Sequence, residues 1–443
     1  MSISSSFTLN VGGVLVGHDQ YLRGALEIRE GRVQAVSESA GEGTEFALPG
    51  LRNAHVHFDL SGIGGPLGAG LGFADWIERL MLWRGRQTTA DLVQGARVGA
   101  RQALAAGTTA VGDIDSTGSS FEAVAESGLK GIGFREVLGT GDCTSVLASA
   151  EEFGMRYGHS EAKGGLRPGL SPHAPYSTSD RLYQGARDLA RRRSWPLSTH
   201  VAETTAEELF LMEGRGDLAE LLGRLGVRQP FDRPPGRTPL GNLAALDCLG
   251  PDVLLAHVNY PAAGDLEALA QSGATVVYCP RSHAHFSHAR HPVAELLELG
   301  VTVALGTDSM ASNRSLSMFD EMAFLRGRRP DLPPSQVFQM ATSAAAPFLD
   351  GGRGRLDPGQ PADLVIARSP GGLPADLDEA LQRVTTGDLE ILATLVSGRL
   401  CYVSNDLEQT LPCLTWGRSW LFSADSGGRS EPASGRPGKP DGE

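Results

Sequence analysis

Eight short apolar runs separated by helical stretches constrain the fold of this 443-residue chain more than any other feature. The runs are ALPGLRNAH, TTAVGDID, GIGFREVL, LRPGLSPH, PLSTHVAE, VLLAHVN, ATVVYCP and VTVALGTD. Between them lie segments such as TADLVQGARVGARQALAAG and DRLYQGARDLARRR, which are rich in Ala, Leu and Arg, as helices are. Buried strands that alternate with helices favour an α/β fold, a parallel (β/α)8 TIM barrel, over a sandwich.

The two ends of the chain differ from this pattern. Residues 1–47 and 351–422 contain short alternating strands broken by glycine, so we expect them to form together one small β-sandwich domain. Residues 48–350 then form the catalytic barrel. Residues 423–443 are rich in Gly, Ser and Pro with almost no apolar residue, which predicts a disordered tail.

Charge and composition limit the partners of the chain. A formal charge of −13, from 39 Lys and Arg against 52 Asp and Glu, argues against nucleic acid or an anionic membrane. The chain lacks a signal-like start and a long apolar run, and its five cysteines show no Cys-x-x-Cys pair. We therefore expect a cytoplasmic protein with reduced thiols that acts on a small-molecule substrate, and a homodimer is compatible with these properties.

Two histidines, His55 and His57, stand one residue apart in NAHVHF. Side chains in a strand alternate between its faces, so a spacing of two points both imidazoles the same way. That geometry suits a metal ion. A surface strand with two solvated histidines would show the same spacing.

The ends of the other runs decide between these readings. Catalytic residues of TIM barrels lie at the carboxyl ends of the strands, so the last residues of each run are candidates for the active site. Any one of them could instead be a core histidine bonded to a carbonyl or a glutamate that caps a helix. Random placement would rarely collect so many histidines and acids at the same end of separate strands. These candidates are His55, His57, His173, His200, Glu203, His257 and Asp308.

These residue types suit metal-assisted hydrolysis. A hydrolytic zinc or iron site takes three or four nitrogen or oxygen ligands and leaves a place for water, whose pKa falls to about 7. The residues that can supply such ligands are His55, His57, His200 and Asp308. Glu203 is expected to act as a general acid or base, and His257 to orient the water or stabilise developing charge. The predicted cofactor is one divalent metal ion, Zn or Fe.

Six motifs carry a family resemblance. In chain order, NAHVHF, SPHAPYS, THVAET, LLAHV, YCPRSH and LGTDSMASN resemble the amidohydrolase superfamily. Within it they resemble the branch of cytosine/guanine, methylthioadenosine/S-adenosylhomocysteine and chlorotriazine hydrolases. The resemblance implies a mononuclear site with the four ligands above, catalysis by Glu203, His257 and Asp308, and His173 near the substrate. It also implies that Asp308 takes a proton from water while Glu203 protonates the ring nitrogen and ammonia leaves.

Two segments suggest a substrate. GIGFREVLGTG and YCPRSHAHFSHARHP resemble the 6-aminodeoxyfutalosine deaminases, which belong to the futalosine route to menaquinone. The predicted function is therefore hydrolytic deamination of an adenine-type nucleoside, and 6-aminodeoxyfutalosine is the favoured one. Its benzoate needs a cation, which Arg135 or Arg281 could provide, although each could instead hold neighbouring protein groups. Glu203 would contact the adenine ring.

Some features leave alternatives open. Methylthioadenosine-type members place a glutamate after the first strand to hold the ribose, whereas here Glu78 comes too early and Arg84 stands where the acid is expected. The loop from His283 to His291 could shape the pocket or hold a second metal. The substrate could be another N-heterocycle, namely methylthioadenosine, S-adenosylhomocysteine, guanine or a triazine that loses chloride. A non-catalytic scaffold would be expected to lack ligands, and all four are present.

Overall fold

The structure is a computed structural model that describes residues 6–38, 43–68, 70–118, 121–157, 165–227 and 234–404. Eight parallel strands pair in chain order and form the predicted barrel. They are β7 (Leu51–Val56), β8 (Thr108–Asp115), β9 (Lys130–Val137), β10 (Leu166–Pro172), β11 (Leu197–Val201), β12 (Val253–His257), β13 (Thr275–Tyr278) and β14 (Val303–Leu305). A parallel bridge between Val56 and Asp308 joins the last strand to the first. The predicted TIM barrel is confirmed.

Strands from both ends of the chain build the second layer. They are β1 (Ser6–Asn10), β2 (Gly13–Gly17), β3 (Gln20–Leu22), β4 (Gly24–Arg29), β5 (Arg32–Glu38), β6 (Glu45–Pro49), β15 (Leu364–Arg368), β16 (Glu390–Val396) and β17 (Arg399–Val403). One sheet has the order β1-β4-β5 and the other β17-β16-β15-β6-β2-β3. Their core includes Leu9, Ile28 and Leu364. This confirms a small β-sandwich made from both termini. The predicted tail, 423–443, lies outside the described residues.

Helices surround the barrel and cover its mouth. They are the 3-10 helix η1 (Phe58–Ile63) and the α-helices α1 (Phe73–Arg84), α2 (Thr89–Ala105), α3 (Phe121–Ser127), α4 (Cys143–Tyr157), α5 (Asp180–Arg193), α6 (Thr205–Glu213), α7 (Asp217–Arg224), α8 (Pro239–Ala245), α9 (Asp265–Ser272), α10 (Pro280–His285), α11 (Val293–Glu298), α12 (Met318–Arg328), α13 (Pro334–Ala341), α14 (Ala346–Leu349) and α15 (Leu377–Thr386). Local sequence explains where some begin. Thr88 and Asp91 form a capping box at α2, and Ser179 accepts a hydrogen bond from the Leu182 backbone at α5.

The strand β9 shows which side chains point into the barrel. Ile132 and Phe134 pack inside it against residues of other strands, such as Ala54. Gly133 faces the other way, because a Cβ there would lie 2.5 Å from the Phe121 ring of α3. Even-numbered residues of this strand therefore face the barrel interior, and odd-numbered residues face the surrounding helices.

None of the described helices has both the length and the apolar character needed to cross a bilayer. Of the five cysteines, Cys143, Cys248, Cys279 and Cys401 are free. Cys413 lies outside the described residues.

A buried ionic cluster connects two barrel strands with the segment that leads back into the small domain. Arg52 lies 3.0 Å from Asp350 and 3.6 Å from Asp363, and Lys130 pairs with both carboxylates. The Asp350 and Asp363 side chains are each only 2% exposed. Burial raises the pKa of Asp350, but Arg52 and Lys130 outweigh it and hold that pKa below its ordinary value.

Replacing Asp350 with asparagine should lower the free energy of unfolding by about 3 kcal/mol at pH 7, because two buried cations then share one carboxylate. Since the folded-state pKa of Asp350 is depressed, its contribution is present above its unfolded pKa of about 3.9 and is lost as pH falls further. The difference between variant and wild type should therefore narrow below about pH 4. Urea denaturation at several pH values measures this.

The matched control is Asp331→Asn, which changes an exposed carboxylate paired with Arg329 and should leave the unfolding midpoint almost unchanged. Equal effects of the two substitutions would contradict the stabilising role of the buried cluster.

Candidate active site

Six residues expected to form the catalytic centre meet at the carboxyl end of the barrel. They are His55 in β7, His57 directly after it, His200 in β11, Glu203 after that strand, His257 at the end of β12 and Asp308 after β14. The Nε2 atoms of His57 and His200 lie 3.3 Å apart. The His55 ring centroid lies 4.7 Å from that of His200 and 5.5 Å from that of His257. The fold therefore brings together residues that are more than 250 positions apart in the chain.

Asp308 faces two of the histidines. Its Oδ1 lies 3.7 Å from His55 Nε2 and 3.6 Å from His57 Nε2. Its Oδ2 accepts hydrogen bonds from the hydroxyls of Ser282 and Ser312, both at 2.7 Å. The two serines fix the carboxylate so that the other oxygen points to the centre of the site.

The histidine nitrogens are available to a cation. Both ring nitrogens of His55 are buried without a hydrogen-bond partner among the described residues. His200 Nδ1 lies 3.0 Å from the carbonyl oxygen of His173, to which it can donate, and this leaves the Nε2 lone pair free. Burial lowers the pKa of His57 to about 3 and that of His200 to about 4, so both rings are neutral near pH 7. Neutral imidazoles and one carboxylate fit a divalent cation.

Glu203 lies beside this donor set, and its Oε1 is 3.7 Å from His257 Nε2. Its backbone N–H donates to Glu207 at 2.8 Å, and its carbonyl accepts from Asn259 at 2.9 Å. Burial raises the pKa of Glu203 well above its ordinary value, and the nearby carboxylates of Asp308 and Glu207 raise it further. The position of Glu203 and the direction of this pKa shift suit a general acid.

The backbone around these residues is strained. His257 has a φ of 75° and Asp308 a φ of 58°, both in the left-handed region that non-glycine residues seldom adopt. Strain of this kind persists where the surrounding fold enforces it, and it is frequent at active sites. Here it occurs at two of the strand ends that aim side chains at the centre.

His173 lies next to the centre on the side where we expect the substrate. Its ring centroid is 4.9 Å from that of His200 and 5.7 Å from that of Tyr176, and its Nδ1 contacts the Ser177 hydroxyl. Tyr176 continues into a group of rings that we call the aromatic wall. The wall consists of Phe73, Trp76, Tyr176 and Phe286, with neighbouring centroids 5.0 to 6.3 Å apart.

In both arginines predicted to bind a carboxylate, a guanidinium nitrogen already contacts protein groups. Arg135 is an odd-numbered residue of β9 and so faces the surrounding helices, where it donates to the backbone carbonyls of Ser116 and Glu136. Arg281 donates to Ser315 at 2.7 Å and pairs with Asp320 at 3.2 Å. Both guanidinium groups therefore hold neighbouring protein groups.

Two histidines of the histidine-rich loop contact residues in or next to the site. His283 Nδ1 lies 3.0 Å from the Asn259 side-chain oxygen, and His291 Nε2 lies 2.9 Å from the carbonyl oxygen of His257. His291 also stacks on Tyr278 with a centroid distance of 3.8 Å. Within the described part of the chain, the groups of three side chains that could hold a metal include no histidine of this loop.

The sequence analysis missed several polar residues of the site. Ser282 and Ser312 carry no signal of their own, because their role depends on contacts with Asp308. Glu136 could have been found, since it follows Ile132 and Phe134 at intervals of two. Arg84, which takes the place of an expected acid, donates to Asp59 at 3.2 Å.

The chain matches the model of the Amidohydrolase family over residues 46–401. The chain belongs to this family. A relative from Nitratidesulfovibrio vulgaris, named 5-methylthioadenosine/S-adenosylhomocysteine deaminase, is 31% identical over 86% of this chain and 87% of its own length. A 5'-deoxyadenosine deaminase from Methanosarcina mazei is 29% identical over 85% and 88%. This amidohydrolase is therefore a hydrolytic enzyme, and the resemblance drawn from its motifs is confirmed.

A solved structure shares the fold. It is the Helicobacter pylori aminofutalosine deaminase in complex with methylthio-coformycin, with a TM-score of 0.76 and 19% identity over 89% of this chain and 99% of that one. At this identity the likeness supports the barrel-and-sandwich architecture.

Proposed function

We propose that this amidohydrolase removes the amino group from the adenine ring of an adenosine that lacks the 5′-hydroxyl, and releases ammonia. The observation that carries the proposal is the position of the buried Glu203, whose pKa is raised by burial, beside His257 and the His55–Asp308 pair. Amide or ester hydrolysis would not require a proton donor for a ring nitrogen, whereas deamination of an aromatic amidine does. The relatives named as adenine-nucleoside deaminases support the same reaction class.

The residues that would hold one divalent cation are His55, His57, His200 and Asp308. Such a cation makes water acidic enough to lose a proton near neutral pH. Both Zn and Fe accept histidine and carboxylate ligands of this kind.

The side chains divide the proton transfers between them. Asp308 Oδ1, the oxygen that its two serine partners leave free, takes a proton from the water that adds to C6 of the ring. Glu203 donates its proton to the adjacent ring nitrogen, so negative charge does not build there. The C6–N bond then breaks, and the amine leaves as ammonia with the proton that Asp308 had accepted. The C6 hydroxyl gives its remaining proton to Glu203, which restores the acid, and the ring keeps a carbonyl oxygen at C6. His257 Nε2 lies 3.7 Å from Glu203 Oε1, and His257 stabilises the charge that develops during the reaction.

The surroundings favour a substrate whose 5′ group is uncharged. The aromatic wall beside His173 suits an apolar substituent, and both arginines proposed for a carboxylate are already engaged. A buried carboxylate without a partner would weaken binding. We therefore propose 5′-deoxyadenosine or methylthioadenosine as substrates, ahead of 6-aminodeoxyfutalosine and its menaquinone route.

A panel of nucleosides tests this choice. The kcat/KM for 5′-deoxyadenosine or methylthioadenosine should exceed that for 6-aminodeoxyfutalosine at least about tenfold, equivalent to about 1.4 kcal/mol. Ammonia release is the measurement. A preference for 6-aminodeoxyfutalosine would restore the benzoate-bearing substrate, and chloride release from a chlorotriazine without ammonia from any nucleoside would favour a dechlorinating hydrolase.

A further inference from the structure

One acid on the wall of the site has no part in the steps above. Glu136 is the last but one residue of β9, and the alternation that points Ile132 and Phe134 into the barrel points Glu136 inward too. One of its carboxylate oxygens lies within 4.8 Å of a ring nitrogen of both His173 and His200. Glu136 therefore faces the substrate side of the centre.

Most of the Glu136 side chain is buried, with 9% of the residue exposed. Its carboxylate oxygens are not among the fully enclosed polar atoms that lack a partner, so they reach the open space of the site. No described residue donates a hydrogen bond to them. A largely buried carboxylate whose donors do not come from the protein points to a ligand that supplies them.

A second cation does not explain Glu136 well. The group that could hold one consists of Glu136, His173 and His200. His200 Nδ1 is engaged with the carbonyl of His173, and its Nε2 faces His57 as a ligand of the first cation. His173 Nδ1 is occupied by Ser177, which leaves Glu136 and one nitrogen of His173. Two ligands are too few for a dedicated metal site.

Arg84 and Asp59 complete the polar side of the site. Arg84 donates to Asp59 Oδ2 at 3.2 Å and to the Ser116 hydroxyl, and it lies near enough to Glu136 to interact with its charge. Apart from the amino group that leaves, the hydrogen-bond donors of 5′-deoxyadenosine are its 2′- and 3′-hydroxyls. The acid that faces the substrate side with open oxygens is Glu136 on β9.

We propose that Glu136 is a substrate-binding residue whose two carboxylate oxygens accept hydrogen bonds from the 2′- and 3′-hydroxyls of the ribose. This assignment rests on the proposed function, since it requires a nucleoside in the site. A carboxylate can accept hydrogen bonds from two neighbouring hydroxyls at once. Glu136 thereby selects ribonucleosides over deoxynucleosides.

The test compares Glu136→Gln with wild type on 5′-deoxyadenosine and on 2′,3′,5′-trideoxyadenosine, which lacks both hydroxyls. The variant should lose about 10- to 100-fold in kcat/KM on 5′-deoxyadenosine, as expected for hydrogen bonds to a charged group, and mostly through KM. On the trideoxy compound it should stay within about threefold of wild type. Its metal content should be unchanged. Glu126→Gln, an exposed site on α3, is the matched control and should resemble wild type on both compounds.

Each other outcome overturns the assignment. Equal losses on both nucleosides would make Glu136 a structural residue or a participant in the chemistry. Two metal equivalents in wild type and one in the variant would make it a metal ligand. Wild-type enzyme that deaminates neither compound would overturn the proposed function itself and the ribose contact with it, so the two failures are distinguishable.

Discussion

Replacing Asp308 with alanine should lower kcat/KM by about 10⁴-fold or more and sharply reduce the metal content. The substitution removes the carboxylate that faces His55 and His57, which is also the base proposed for the attacking water. Elemental analysis of wild-type protein should find about one equivalent of transition metal per chain, as one ligand set implies. His55→Ala should behave similarly, because both nitrogens of that ring are otherwise without partners among the described residues.

A remote aspartate provides the control for this experiment. Asp331→Ala removes an exposed carboxylate paired with Arg329 and should keep both metal and activity. Circular dichroism of Asp308→Ala separates loss of the site from loss of the fold. Full activity of a metal-free wild-type preparation would refute the metal-assisted mechanism.

Most of the barrel could be predicted because its strands have a strong local signal. A parallel strand buried on both faces reads as a short apolar run, and each of the eight runs contains or overlaps one strand of the barrel. The placement of His200 and His257 followed from the same rule, since strand ends meet at one rim. No ligand had to be known to locate the centre.

The side wall of the site was harder to predict, because it depends on which face of a strand points inward. Arg135 and Glu136 are neighbours, and the cationic one was chosen as a candidate from substrate chemistry. Counting alternate positions from Phe134, a large apolar residue of the barrel core, selects Glu136 instead. The strand pattern contained this information, whereas the substrate argument did not.

Contacts between distant segments could not be read from one sequence. Ser282 and Ser312 reach Asp308 from α10 and from the loop after β14. Hydroxyl groups of this kind are common on any surface, so only the assembled barrel distinguishes these two. The same holds for Arg84, whose partners Asp59 and Ser116 come from η1 and from the turn after β8.

Replacing Glu203 with glutamine should leave the metal in place and lower kcat by about 10² to 10⁴-fold, the usual contribution of a positioned general acid. Glutamine keeps the size of the side chain but cannot give a proton to the ring nitrogen. Burial raises the pKa of Glu203, which favours its protonated form, and that form is lost as pH rises through this pKa. Wild-type kcat/KM should therefore fall on the alkaline side, and the variant should lack this decline.

The control for Glu203 is a glutamate in the helix that follows it. Glu213→Gln changes an exposed glutamate at the end of α6 and should preserve rate, pH profile and metal. Loss of metal from Glu203→Gln would show that Glu203 is a ligand and would end its role as acid. If Glu203→Gln keeps both the metal and the wild-type rate, the proposed deamination is contradicted, because Glu203 is the residue assigned to protonate the ring nitrogen.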